Sequence, residues 1–204
     1  HTPTRRQRQM CIRDRTYDKN KEFTKSFAFR MKTDAEPKLT KNTGFYERTS
    51  KLTRNFVDAR GFWLPNDYTK HGVINEYTAC REKAVVIDLS ALRKFEILGP
   101  DAEELMNYTL TRNVKKLSIG QVVYSSMCYD NGFMFDDGTL LKMSDHGFRW
   151  ICGDEYAGEW LKEQAKKKNY KVRIKNSSDQ ISNISLQGPN SRKILEKFIW
   201  TPPT

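Results

Sequence analysis

The sequence lacks the patterns that mark membrane spans and metal sites. No apolar run approaches the roughly 20 residues that a spanning helix needs, so we expect a soluble protein without a membrane partner. The three histidines lie far apart and the four cysteines form no C-x-x-C pair, so we predict no metal site. Cys80 and Cys128 lie in apolar stretches and are expected to be buried, reduced thiols, which favours a reducing compartment.

The chain also has little net charge outside its N-terminal region. Residues 1–60 hold 16 Lys and Arg against 7 Asp and Glu, which accounts for +9 of the formal net charge of +11. Residues 61–204 are therefore close to neutral. Because nucleic acids are bound by a basic patch on a folded face, we expect no nucleic-acid partner.

The N-terminal 60 residues differ in character from the rest. Residues 1–15 have no helical or strand period and resemble translated adapter sequence, so we interpret them as a non-native leader; an organellar presequence is the alternative. Residues 16–60 are polar with isolated aromatics, which predicts an extended arm whose aromatic side chains dock on the domain. The folded domain is then expected over residues 61–204.

From residue 61 the pattern alternates between short strands and helices. Tyr68 to Lys83 is expected to be a strand or loop leading into a helix with an apolar stripe at Val73, Tyr77, Cys80 and Ala84. Trp63-Leu64-Pro65 is read as an anchored turn and Ala84–Leu89 as a buried strand. Further strands are predicted at 94–98, 148–152, 172–174 and 184–186, and further helices at 100–109, 154–168 and 191–198. The predicted class is α+β, with a largely antiparallel sheet and flanking helices.

One hairpin carries a pair of carboxylates. Two strand-like segments, Gln121–Cys128 and Thr139–Lys142, enclose a turn at Asp130-Asn131-Gly132 and then Asp136 and Asp137. Successive strand residues point to opposite faces, so one carboxylate is expected to face inward and the other outward. From these residues alone, Asp-Asp-Gly is more often a solvated turn than a site.

Several short motifs in order resemble the N-terminal folate-binding domain of the glycine cleavage T-protein, the aminomethyltransferase family. The resemblance covers roughly residues 61–189, and the matching pieces are Phe62-Trp63-Leu64-Pro65, Gly72 to Glu76 with Ala79 and Arg81, Ile87-Asp88-Leu89-Ser90, Gly99-Pro100-Asp101-Ala102, Thr111 to Val114, the Tyr124 to Asp137 hairpin and Gln187-Gly188-Pro189.

The resemblance implies a tetrahydrofolate-dependent enzyme that moves a one-carbon unit from an amine or methylated donor to tetrahydrofolate. It implies that Asp137 is catalytic and binds the folate, and that Tyr124 lines the folate pocket. Glu76 and Arg81 match a Glu and an Arg of the family. Two interpretations of these residues stay open: an ion pair that holds the pocket wall, or a contact with the pterin. The donor would be a small molecule or a group on a lipoyl carrier protein, as in glycine cleavage. Such an enzyme is expected in the cytoplasm of a bacterium or the mitochondrion of a eukaryote.

The chain also departs from the family pattern. Ala91, Phe133 and Gly153 stand where the family has other residues, which suits a donor such as dimethylglycine, sarcosine or a methylated sulfur compound. The family's folate site continues beyond a point equivalent to Thr204, so we expect a partial domain. The alternative function is a non-catalytic folate-binding protein related to iron-sulfur maintenance or tRNA-modification proteins.

Overall fold

The computed structural model describes residues 40–199. The predicted leader, residues 1–15, and residues 16–39 of the predicted arm lie outside these described residues. The described chain divides into two compact units, with residues 40–91 and 184–199 in unit 1 and residues 92–183 in unit 2. Between residues 40 and 199, none of the helices combines the length and the apolar character needed to cross a membrane.

Unit 1 contains two small sheets within its described residues. β1 (Lys41–Asn42) pairs in parallel with β3 (Phe62–Pro65), and β3 pairs antiparallel with β2 (Phe56–Ala59). β4 (Val85–Asp88) pairs antiparallel with β10 (Ile184–Gln187). The helices of the unit are α1 (Tyr46–Thr49), α2 (Gly72–Glu82) and α5 (Ser191–Leu195).

The small sheet of unit 1 is held by aromatic packing. Phe56 is fully buried, its ring stacks on Trp63 at 6.3 Å between centroids, and Tyr46 packs against it from α1 at 5.6 Å. The segment read as an anchored turn at Trp63 is therefore strand β3, because its residues pair with β1 and β2. Residues 41–59, which the sequence placed in the polar arm, contain β1, α1 and β2.

The predicted helix after Tyr68 is present as α2, but its apolar stripe is not buried. Val73 and Tyr77 are exposed, Ile74 is 77% exposed, and no residue of α2 is buried. The prediction of a buried strand at β4 was also wrong, since Val86 and Ile87 are exposed and β4 pairs with β10 alone among the described strands.

Unit 2 is built on one five-stranded antiparallel sheet in the order β6-β7-β8-β5-β9. The strands are β5 (Arg93–Leu98), β6 (Val122–Cys128), β7 (Met134–Ser144), β8 (Gly147–Cys152) and β9 (Arg173–Asn176). The helices are α3 (Ala102–Thr109) and α4 (Tyr156–Lys168), with a 3₁₀ turn at Val114–Lys116.

The core of unit 2 lies between one sheet face and the two helices. Alternate residues of the strands, among them Ile97, Leu140 and Trp150, are fully buried together with Leu105 of α3 and Leu161 of α4. Alternation within strands and the 3.6-residue period of the helices both put these residues on inward faces.

A glycine allows α4 to approach the sheet closely. A Cβ on Gly158 would collide with the ring of Phe95, which is itself buried on β5. The antiparallel sheet and flanking helices confirm the predicted α+β class.

Candidate active site on the β6–β7 hairpin

The turn of the hairpin forms for reasons that lie in its own sequence. The amide of Gly132 donates to the carbonyl of Tyr129 at 2.9 Å, and the amide of Tyr129 donates to the carbonyl of Phe133 at 2.9 Å. Gly132 has a φ of 85°, which glycine adopts without a steric penalty. Asn131 Oδ1 accepts from the amide of Phe133, which closes the turn. The hairpin is thus confirmed, with β7 starting earlier than predicted, at Met134.

The two carboxylates lie inside β7 and face opposite sides of the sheet. Asp136 is opposite Met127 on the face that carries the core, and it is 8% exposed. Asp137 is opposite Ser126 on the other face and is partly exposed. The expectation of one inward and one outward carboxylate is confirmed.

Asp136 holds the end of β7 to the loop that follows β8. Its Oδ1 accepts from the amides of Asp137 at 2.9 Å and Gly153 at 3.2 Å, and its Oδ2 accepts from the amide of Asp154 at 3.1 Å. Asp154 in turn accepts from the amide of Tyr156, where α4 begins. The buried carboxylate therefore fixes the backbone of Asp137 and the start of α4.

A buried thiol lies beside Asp136. Cys152 is 2% exposed, and its Sγ donates to the carbonyl of Asp154 at 3.5 Å. Burial raises the pKa of the Cys152 thiol well above its usual range, and the negative charge of Asp136 adds to the rise. This cysteine is therefore an inert, protonated part of the core rather than a nucleophile.

The structure brings Tyr124 and Asp137 together. The Tyr124 hydroxyl donates a hydrogen bond to Asp137 Oδ2. Tyr124 is opposite Thr139, two residues beyond Asp137, so the contact is a diagonal one between neighbouring strands on a shared face. The Tyr124 side chain is 59% exposed, so its ring offers an open aromatic surface next to an oriented carboxylate.

An arginine that sequence reasoning missed lies beside Tyr124. The Nε of Arg112 donates to the backbone carbonyl of Tyr124 at 3.3 Å, and the amide of Arg112 donates to Ser125 Oγ at 3.3 Å. Arg112 precedes the 3₁₀ turn and is 12 residues from Tyr124. Only the fold brings these two residues together, so the local sequence carried no signal for the contact.

Glu76 and Arg81 belong to unit 1, whereas Tyr124 and Asp137 belong to unit 2. Glu76 Oε1 accepts from the backbone amide of Tyr68 at 2.6 Å, and Arg81 is exposed. No ion pair joins Glu76 to Arg81 within residues 40–199, because side chains five positions apart leave a helix in different directions. The ion-pair interpretation of these two residues was therefore wrong.

Glu76 lines a cavity of about 710 Å³ within unit 1. The cavity also has Tyr68, His71, Asp67 and Asp88 in its wall, and its apolar part comes from Leu52, Pro65, Ala84, Val85, Val86 and Ile87. Burial raises the pKa of Tyr68, and the nearby charges of Glu76 and Asp88 raise it further. Tyr68 was missed from the sequence, since its burial arises from the packing around it.

The family model described as the GCVT N-terminal domain matches residues 45–201. A trimethylamine-oxide aldolase from Ruegeria pomeroyi is 52% identical over 192 residues, which cover 94% of this chain and 24% of that protein. An aminomethyltransferase from Natranaerobius thermophilus is 31% identical over 163 residues, 78% of this chain and 43% of that protein.

A solved structure agrees with these similarities. The crystal structure of the glycine cleavage system aminomethyltransferase T from Bartonella henselae superimposes with a TM-score of 0.65 at 25% identity, covering 77% of this chain and 43% of that one. The chain thus spans 24% to 43% of the length of these relatives. With a family model that covers most of its length, the chain belongs to the family of the GCVT N-terminal domain.

Proposed function

We propose that this chain is part of an enzyme that transfers a one-carbon unit from an amine or methylated donor to tetrahydrofolate. The observation that carries the proposal is the Tyr124 hydroxyl bound to the Asp137 carboxylate on the exposed face of a family-matched hairpin. Family membership and the aminomethyltransferase relatives support the same reaction class.

Asp137 is the proposed catalytic residue. Transfer of a one-carbon unit between nitrogens develops positive charge on nitrogen or on an iminium carbon, and a fixed anion close by stabilises that charge. The hydrogen bond from Tyr124 and the backbone held by Asp136 keep the Asp137 carboxylate in one orientation. The chain therefore supplies an anion that needs little reorganisation when the charge develops.

The residues around Asp137 fit a reduced pterin. The pterin has N–H donors along its edge, which a carboxylate accepts, and a flat face, which the exposed ring of Tyr124 can contact. When bound, tetrahydrofolate supplies the nitrogen that accepts the carbon. In this proposal Tyr124 and Asp137 orient it.

A methylated amine is the donor class that we favour. Similarity to the trimethylamine-oxide aldolase is much higher than to the aminomethyltransferases, and the family positions at Ala91, Phe133 and Gly153 are changed. Splitting trimethylamine oxide into dimethylamine and formaldehyde conserves all atoms and needs no outside oxidant. The carbon of formaldehyde has the same oxidation level as the carbon of an aminomethyl group. One tetrahydrofolate site can therefore accept the carbon from either a methylated amine or an aminomethyl donor.

The experiment compares Asp137→Asn with the wild type in the full-length protein. We expect folate-dependent formation of the one-carbon product, with trimethylamine N-oxide as donor, to fall by about 10²-fold or more, as when a preorganised electrostatic partner is lost. Tetrahydrofolate binding, followed by quenching of tryptophan fluorescence, should change far less.

The matched control is Asp130→Asn, an acidic residue of the same hairpin at its turn. Its turnover should equal that of the wild type. Wild-type turnover by Asp137→Asn would contradict the catalytic role. Folate binding without turnover in the wild type would instead favour the non-catalytic folate-binding alternative.

A further inference from the structure

The outer edge of β6 is covered by a short segment of unit 2, residues 110–112, which follows α3. In the described chain, β6 is an end strand of the five-stranded sheet, with β7 on its inner side. Leu110 forms an antiparallel bridge with Met127, and the amide of Thr111 donates to the carbonyl of Ser126 at 3.2 Å. The segment therefore pairs with part of an edge that would otherwise face solvent.

The pairing of β6 with β7 shows why this edge concerns Tyr124. In an antiparallel ladder, the amide and the carbonyl of one residue point to the same side of the strand, and successive residues alternate between the two sides. The carbonyls of Tyr124 and Ser126 accept from residues 110–112, so both carbonyls point away from β7. Tyr124 and Ser126 therefore occupy non-hydrogen-bonded positions of the β6–β7 ladder, opposite Thr139 and Asp137.

Side chains of neighbouring residues hold the backbone at both members of the Tyr124–Asp137 pair. On β7, the amide of Asp137 donates to Asp136 Oδ1 at 2.9 Å. On β6, the carbonyl of Tyr124 accepts from Arg112 Nε at 3.3 Å. Arg112 thus has the same relation to Tyr124 as Asp136 has to Asp137, from the opposite edge of the hairpin.

Buried neighbours on both sides place Arg112 at this edge. Leu110 is 6% exposed, Val114 is fully buried, and the amide of Val114 donates to Asn107 Oδ1 at 2.9 Å. The amide of Arg112 itself donates to Oγ of the buried Ser125 at 3.3 Å. The backbone of Arg112 is therefore fixed although the residue is exposed, and only its side chain has to be ordered for the contact with Tyr124.

We propose that Arg112 is a positioning residue of the candidate active site. Its guanidinium fixes the carbonyl of Tyr124, and this keeps the Tyr124 hydroxyl directed at the Asp137 carboxylate. A small rotation of the edge strand is amplified along the rigid Tyr124 ring, so the hydroxyl is sensitive to how the backbone is held. The planar guanidinium holds its Nε–H at a fixed angle, whereas the ammonium of a lysine lies at the end of a flexible stem.

The first test follows the Tyr124 hydroxyl in the 204-residue chain labelled with ¹³Cζ-tyrosine. Tyr124→Phe identifies the Tyr124 signal among those of the nine tyrosines, and Asp137→Asn gives the shift that follows from the loss of the carboxylate. Arg112→Ala should move the signal in the same direction, and Arg112→Lys should move it less. An unmoved signal in Arg112→Ala overturns the proposal, whether or not the protein is an enzyme.

The second test is a double-mutant cycle on folate-dependent turnover in the full-length protein, and this arm rests on the proposed function. Arg112→Ala should lower turnover about fivefold, as expected for the loss of one hydrogen bond. In a Tyr124→Phe background the same substitution should change turnover less than about twofold, because no hydroxyl is left to position. Equal effects in both backgrounds would overturn the proposal. Absence of turnover in the wild type would count against the proposed function, while the ¹³C shifts still decide the role of Arg112.

Arg173→Ala is the matched control, because Arg173 is an exposed arginine on β9, the other end strand of the same sheet. It should leave the Tyr124 signal and the turnover unchanged. Thermal unfolding of each variant is measured in parallel, and Arg112→Gln replaces Arg112→Ala should the latter unfold. A Tyr124 signal that moves as far in Arg173→Ala as in Arg112→Ala would also overturn the proposal.

Discussion

The two units of the described chain differ in how far they bury their apolar side chains. In unit 2, the apolar residues of strands β5, β7 and β8 meet those of α3 and α4 in one buried core. In unit 1, the aromatic cluster around Phe56 is buried, yet α2 has no buried residue and β4 exposes Val86 and Ile87. Unit 2 therefore supports its own hairpin, and the Tyr124–Asp137 pair depends mainly on the stability of that unit.

The largest expected effect comes from truncating the core of unit 2. Trp150 is fully buried, so Trp150→Ala should lower the free energy of unfolding by about 3–5 kcal/mol. Ile74→Ala, on the exposed face of α2, should change it by less than about 0.5 kcal/mol. Urea unfolding followed by near-ultraviolet circular dichroism measures both. Similar losses in the two variants would show that the contrast between the units is wrong.

A smaller loss is expected where β7 and β8 approach each other most closely. A Cβ on Gly138 would collide with the backbone carbonyl oxygen of Ile151, so Gly138→Ala forces the strands apart. Such overpacking costs about 1–3 kcal/mol. Because Gly138 follows Asp137, folate-dependent turnover should fall as well. Thr139→Ala, at the next position on the other face, should leave both stability and turnover near those of the wild type.

The two neighbouring carboxylates should separate stability from activity. Asp136→Asn turns an NH₂ group toward the backbone amides that Asp136 now accepts from, and should cost about 1–3 kcal/mol. Asp137→Asn should alter the stability by less than about 0.5 kcal/mol, although it removes the proposed catalytic anion. Thermal unfolding of both variants, beside the turnover assay, measures this. Equal stability of the Asp136→Asn and Asp137→Asn variants would show that Asp136 does not support the loop after β8.

The smallest effect is expected at alkaline pH. The pKa of Cys152 is raised in the folded state, so the unfolded chain loses this proton first and stability falls as the pH rises above the unfolded value of about 8.5. At pH 9 the loss from this one group is roughly 0.8 kcal/mol. Cys152→Ala should flatten the dependence of the melting temperature on pH between 8 and 9. A melting temperature with the same slope in both proteins would exclude this contribution.

Local patterns predicted the elements of unit 2 well. Asn131-Gly132 indicated the hairpin, Pro100 and the acidic residues after it indicated the start of α3, and the amphipathic period around Leu161 indicated α4. The exposure of α2 could not be predicted in the same way. Its stripe at Val73 and Tyr77 has the usual period of a buried helix, and whether a partner covers that stripe is a property of the fold.

The candidate site was predictable in part for the same reason. Alternation along β7 was enough to separate Asp136 from Asp137, and the family resemblance pointed to Tyr124. The role of Asp136 depends on the amides of Gly153 and Asp154, which are 17 and 18 residues away. The contact of Arg112 with Tyr124 likewise depends on how α3 and the 3₁₀ turn return the chain to β6.

The diagonal contact between Tyr124 and Asp137 makes strand alignment part of the chemistry. A slip of one residue between β6 and β7 would send one partner through to the other surface of the sheet, although nearly every ladder bond could re-form. Inserting a single residue into the turn at residues 129–133 would force this one-residue slip on the hairpin. The sequence of this loop can therefore vary, but lengthening it by an odd number of residues would place Tyr124 and Asp137 on opposite faces of the sheet.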